Sequence, residues 1–201
     1  MSMILDGTSG LTTPGVVNTA GETIATTLAV TGASTFTGTG KFATTIGVGN
    51  ATPAASGSGI TFPATQSASS DANTLDDYEE GTWTPTAGGT STYSTQSGQY
   101  VKIGKLVYVN AVVVFTAIGT GSTNVLSGLP FTDGNVGGFK SGMCSYFAAL
   151  SNNLYSIYPS VPAGTTTIDF RVLTVINNAV STSAIFGNST RVDFSAFYFI
   201  S

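Results

Sequence analysis

The sequence predicts an all-β protein: an elongated β shaft built from several copies of the chain, then a compact C-terminal β-sandwich or jelly roll. Three observations predict it. The first 70 residues are mostly Gly, Thr, Ser and Ala with isolated large apolar residues, and carry only Asp6, Glu22 and Lys41 as charges. From Asp71 onward come the single Trp, all eight Tyr and nine of the twelve Phe, set in short alternating segments. Between those segments lie turn dipeptides, and no stretch of ten residues shows a helical apolar period. Thr supplies 33 residues and Ser 23; the β-branched Thr suits extended backbone.

The N-terminal part divides at about residue 24. Residues 24–70 hold apolar anchors six to eight residues apart: Leu28 and Val30, then Phe36, Phe42, and Ile46 with Val48, with Gly between them. That spacing predicts short strands and turns stacked along an axis. So few large side chains cannot offset the cost of ordering so much backbone. The segment therefore holds a shape only if several copies share their apolar interior. A flexible Gly/Thr/Ser linker is the competing reading, and the spaced large apolar residues argue against it.

The C-terminal part, residues 71–201, has the length of one domain. Lys105 to Phe115, KLVYVNAVVVF, is apolar on both faces, as expected of a central strand buried between two layers or against another subunit. Thr166 to Val175 places Ile168, Phe170 and Val172 on one face, with Asp169 and Arg171 on the other. Arg191 to Ile200 sets Val192, Phe194, Ala196 and Tyr198 against Arg191, Asp193 and Ser195. Shorter strands are expected at Cys144 to Ala149 and Leu154 to Tyr158. Gly88-Gly89, Asp133-Gly134, Asn152-Asn153 and Pro162-Ala163-Gly164 mark turns between them.

Charge and composition exclude several functions. Charged residues make up 8% of the chain, against about 25% in an average soluble domain. Six scattered cations and a net charge of −4 offer no basic surface for nucleic acid. The absence of His removes Ser-His nucleophiles and His-ligated metals. One cysteine, Cys144, leaves no intrachain disulfide or Cys-rich zinc site. The start, MSMILDG, is not a signal peptide. The most apolar run, Leu106 to Ile118, is 13 residues long, short of the roughly 20 that span a bilayer as a helix. The expected product is made in a cytoplasm, inserts into no membrane, and carries no cofactor.

Two segments carry a family resemblance. NTLDDYEEGTWTP, Asn73 to Pro85, and GQYVKIGKLV, Gly98 to Val107, resemble a C-terminal domain recurrent in bacteriophage tail fibres and other virion surface proteins. LAVTGASTFTG, from Leu28, is similar to the shaft repeats of such fibres. The resemblance covers roughly Thr74 to Phe115, with an apolar ending at Phe197-Tyr198-Phe199-Ile200; residues 116–180 carry no matching pattern. It implies a homotrimer in the virion, non-enzymatic, with residues 1–23 attaching to other tail or virion proteins, residues 24–70 forming an intertwined shaft, and residues 71–201 recognising a host-surface glycan. The alternative is an architectural collar, head or baseplate fibre without a receptor. A capsule-degrading spike is a third possibility, but such enzymes use a long β-helix for which the C-terminal part is too short.

Asp71, Asp76, Asp77, Glu79 and Glu80 crowd five of ten acids into ten residues. Such a cluster is either a solvated neck, a Ca²⁺ site or a glycosidase pair; Asp76, Asp77, Glu79 and Glu80 are the metal-ligating candidates, without the spacing of an EF-hand loop. Trp83 is expected as a packing anchor. Lys102 and Lys105 are expected to flank a strand as solubilising charges, and Cys144 to behave as a small buried hydrophobe. Asp169, Arg171, Arg191 and Asp193 are placed to pair between neighbouring strands. Tyr146, Tyr155 and Tyr158, near Asn152 and Asn153, are the receptor candidates, because a phenol offers a sugar both a stacking face and a hydroxyl; packing inside the sandwich is the competing reading for each.

Overall fold

A computed structural model describes residues 32–35, 37–134, 137–138, 140–153, 156–173 and 184–201. The chain forms two units, 1–42 and 43–201. The expected attachment segment, the shaft anchors Leu28, Val30 and Phe36, and Tyr155 lie outside the described residues. In the first unit the described residues form no strand.

All described strands belong to the second unit, and among the described residues there is no helix. β1 (Thr45–Gly47) and β2 (Gly59–Thr61) make a small parallel pair. Eight further strands follow: β3 (Tyr78–Trp83), β4 (Thr92–Ile103), β5 (Leu106–Ala117), β6 (Val125–Ser127), β7 (Lys140–Ala148), β8 (Ser156–Val161), β9 (Thr167–Leu173) and β10 (Arg191–Phe199). They form one antiparallel sheet in the order β3-β4-β5-β10-β7-β8-β9-β6. Thr86 and Ser127 exchange two backbone hydrogen bonds, of 3.0 and 2.7 Å, just beyond β3 and at β6. The sheet is thus curled on itself and its two end strands are tied together, which shields edges that would otherwise recruit foreign strands. The all-β class is as expected; the facing layers are two halves of one curled sheet.

The expected alternation accounts for the interior. Val107, Val109, Ala111, Val113 and Phe115 of β5 and Val192, Phe194, Ala196 and Tyr198 of β10 are buried from one half. Ile168, Phe170 and Val172 of β9 and Leu126 of β6 meet them from the other. β5 is central, held by β4 and β10 on its two sides. The β4–β5 hairpin turns on Gly104-Lys105, with Gly104 at φ 54°, a region that L side chains disfavour. Opposite Asp193 and Phe194 of β10, β7 inserts Ser145 as a bulge.

The motif glycines have a packing reason. Across β3 and β4, Gly81 lies opposite Tyr100 and Gly98 opposite Trp83. Each aromatic ring lies over the facing glycine: a Cβ at Gly81 would sit 2.8 Å from the Tyr100 ring, and one at Gly98 would enter the Trp83 indole. Trp83 is buried, as expected of an anchor, and its indole N–H donates to the Asn110 carbonyl at 3.2 Å. Gly98→Ala must push the indole off Phe194, its edge-on neighbour at 6.3 Å. We expect it to cost about 1–3 kcal/mol, as overpacking does; unchanged stability in urea melts would refute this account.

Two charge expectations are corrected. Lys102 does not flank the strand in solvent: it points inward from β4, is 3% exposed, and is ion-paired with buried Asp77. Arg191 pairs with Asp193 two residues along the same strand, through Nε–Oδ1 at 2.8 Å and Nη2–Oδ2 at 2.7 Å, rather than between strands. That arrangement follows from the period-two geometry, which puts both side chains on the same face.

Candidate interaction surface

The acidic cluster spreads instead of converging. Asp76 accepts from the Ser69 backbone N–H at 2.9 Å and from the Gln66 amide at 3.4 Å. Asp77 turns inward to Lys102, whose ammonium is also 3.5 Å from the Gln66 side-chain oxygen. Glu79 accepts from the Tyr100 hydroxyl at 2.5 Å, and Glu80 from the Tyr78 hydroxyl at 2.7 Å. The alternation of β3 sends Glu79 and Glu80 to opposite faces. Among the described residues no three His, Cys, Asp or Glu side chains come together as a metal ion needs. The cluster closes the segment 66–77 over the end of the sheet.

The Tyr100–Glu79 hydrogen bond, then burial, then the Glu79 charge push the phenol from 10.0 up to about 12. A folded value above the unfolded one means that this contribution to stability is fully present below pH 10 and is lost as pH rises toward 12. Tyr78, held by Glu80, and buried Tyr198 are raised as well, so ultraviolet titration of the native chain is expected to show several late phenolates, of which Glu79→Gln brings one back toward the ordinary range. If Glu79→Gln leaves the titration unchanged, the hydrogen bond is not the cause.

The described receptor candidates sit apart. Tyr146 projects from the outer face of β7, opposite Asp193 of β10, with the Arg191 guanidinium 5.1 Å from its ring centroid. Tyr158 lies on β8 opposite Arg171 of β9, in the other half of the curled sheet. Both are exposed, so neither is a packed core tyrosine. Asn152 donates to the Ala184 carbonyl at 2.7 Å and fixes its own loop. Cys144 lies on β7 opposite Phe194 of β10, half-buried against the core, its thiol pushed up to about 12 by burial and then by Asp193.

A larger surface was not singled out from the sequence. The outer face of β3, β4, β5 and β10 carries one cross-strand row of Tyr78, Ile103, Leu106 and Phe199. The next row is Glu80, Val101, Tyr108 and Phe197. Beyond them stand Met143 and Tyr146 of β7. Tyr78, Ile103, Leu106, Tyr108, Met143, Tyr146, Phe197 and Phe199 are 39–65% exposed. The signal was present: β5 is apolar on both faces, and the core covers only one of them. β10 likewise ends with Phe197 and Phe199 on the face that begins with Arg191 and Asp193. The parallel pair β1–β2 adds exposed Ile46 and Ile60.

Beside the rows, an open groove of about 410 Å³ is lined by Glu80, Gly81, Thr82, Gln99, Tyr100 and Val101. Among the described residues no helix is long and apolar enough to cross a membrane. No protein family, curated protein or solved structure matches the chain. The resemblance to virion fibre domains therefore rests on the two motifs and the shaft-like segment alone.

Proposed function

We propose that the chain is a non-enzymatic, homotrimeric fibre protein of a tailed bacteriophage virion, joined to the particle by its N-terminal segment and meeting a host-surface glycan with its C-terminal unit. The motifs of the resemblance, Asn73–Pro85 and Gly98–Val107, carry this reading: they build one continuous β3–β4–β5 unit whose glycines, aromatics and buried ion pair each have a packing role. Multi-copy assembly is supported by Phe42, Ile46 and Ile60, all exposed on a single chain. The absence of catalysis is in keeping with Glu79 and Glu80, each taken up by a tyrosine hydroxyl on opposite faces of one strand. Tyr158 is the glycan contact we propose, weak alone and strengthened by repetition in three copies.

The test uses the purified full chain. Light scattering is expected to give the mass of a trimer, and immobilised lipopolysaccharide and capsule from a panel of bacterial strains to retain it. Tyr158→Ala is expected to weaken that retention with the trimer intact. A trimer that no surface polysaccharide retains is an architectural fibre without a glycan receptor. A monomer at micromolar concentration overturns the fibre reading itself.

A further inference from the structure

We propose that the apolar outer face of β3, β4, β5 and β10 is a subunit interface, turned toward the axis of the assembly and covered by further copies of this same chain. The inference rests on the homotrimer reading and gives the C-terminal unit a contact of its own, separate from the shaft.

The first argument is area. At about 150–250 Å² per large side chain, the exposed fractions of the apolar residues on this face, with Met143 and Tyr146 at its β7 border, amount to roughly 600–950 Å². Typical monomers show their largest apolar patch at about 300–600 Å². A stable interface takes about 800 Å² from each partner.

Charge supplies the second argument. The two apolar rows hold one charged side chain, Glu80 at their β3 end, where it accepts from the Tyr78 hydroxyl; at the opposite border Arg191 and Asp193 neutralise each other. Copies of an acidic chain, net −4, can therefore approach through the β4, β5 and β10 part of this face without opposing like charges. Shape is the third. The rows run across neighbouring strands about 4.8 Å apart, on a sheet surface of the kind that packs against another sheet at about 10 Å. Tyr108 and Phe197, directly opposite each other on β5 and β10, lie in the middle of the patch, where an interface concentrates its aromatic anchors.

Thiol accessibility in the full chain tests this. In a Cys144→Ala background, Phe197→Cys and, separately, the milder Met143→Cys probe the face, and Asn153→Cys on an exposed loop is the control. A bulky maleimide is expected to modify the two face positions at least about tenfold more slowly than the control, because labelling then requires the assembly to open. Urea below the unfolding transition but above dissociation should remove the protection. A trimer whose face thiols react as fast as Asn153→Cys overturns the interface and leaves the trimer standing. A monomer with freely reacting face thiols overturns both.

Discussion

Lys102→Met is expected to destabilise the folded chain by about 3–5 kcal/mol, because it leaves the Asp77 carboxylate buried without its cation. The side chains of Lys102 and Asp77 are 4% and 6% exposed, so solvent cannot take over the role of the missing partner. Gln66, the other side chain at this site, presents its oxygen to the ammonium and its amide to Asp76; it is no substitute for a charge. For a chain of this size the loss lowers Tm by roughly 10 °C. The double variant Lys102→Met with Asp77→Leu removes both charges and is expected to recover most of the loss, since apolar replacement of a buried pair is often close to neutral. Urea melts at one fixed chain concentration decide, because association adds to apparent stability. A single variant within about 0.5 kcal/mol of the parent, the range of an ordinary surface change, would show that Lys102 reaches water. A double variant no better than the single would show that the loss comes from the ammonium's contact with the Phe131 ring, whose centroid lies 5.4 Å away.

This pair also shows where the sequence stops being readable. The alternation that makes Val107 and Val109 inward residues is visible in the sequence, but the two-residue turn at Gly104-Lys105 reverses the parity, and Lys102 is assigned to the interior only by its pairing with Val107. Its partner is hidden in the sequence, because Asp77 lies 25 residues earlier, just before β3, as one member of an acidic run. Pairing of β3 with β4 brings them together, and only the register, Glu79 opposite Lys102 and Tyr78 opposite Ile103, reveals that. The same limit explains the Thr86–Ser127 closure: a single bridge between two polar residues leaves no pattern in composition or period. Strands β5, β9 and β10 were legible because burial on one face writes a period of two into the chain. The outer apolar rows were legible in principle by the same rule, as residues breaking the polar half of the alternation at Tyr108, Phe197 and Phe199. The acidic cluster is the opposite case: proximity in sequence leaves convergence on an ion open beside a solvated neck, whereas β3 sends its alternate carboxylates to opposite faces.

Phe170→Ala is the second large effect, again about 3–5 kcal/mol, and its reason lies in how the curled sheet is joined. Phe170 belongs to β9, in one half, and is fully buried. Its ring meets Phe194 of β10, in the other half, edge-on at 5.1 Å, and Phe186 at 5.0 Å. Phe194 continues to Trp83 at 6.3 Å, and Phe186 to Phe115 at 5.2 Å and thence to Tyr93 at 5.1 Å. One ring thus links two aromatic series that begin in β3 and β4, and its loss removes two edge-on contacts, each worth about 0.5–1.5 kcal/mol beyond area. Backbone hydrogen bonding does not compensate, because the Phe170 N–H is already held by the Asn124 carbonyl at 2.8 Å. Phe170→Leu keeps most of the volume and is expected to lose less than half as much, whereas Phe197→Ala on the outer face creates no cavity within the subunit. The comparison separates the two apolar faces: core loss at Phe170 lowers stability at every chain concentration, but loss at Phe197 acts through assembly and grows as the chain is diluted. Equal, concentration-independent losses at both positions would mean that the outer rows are part of the subunit's own packing.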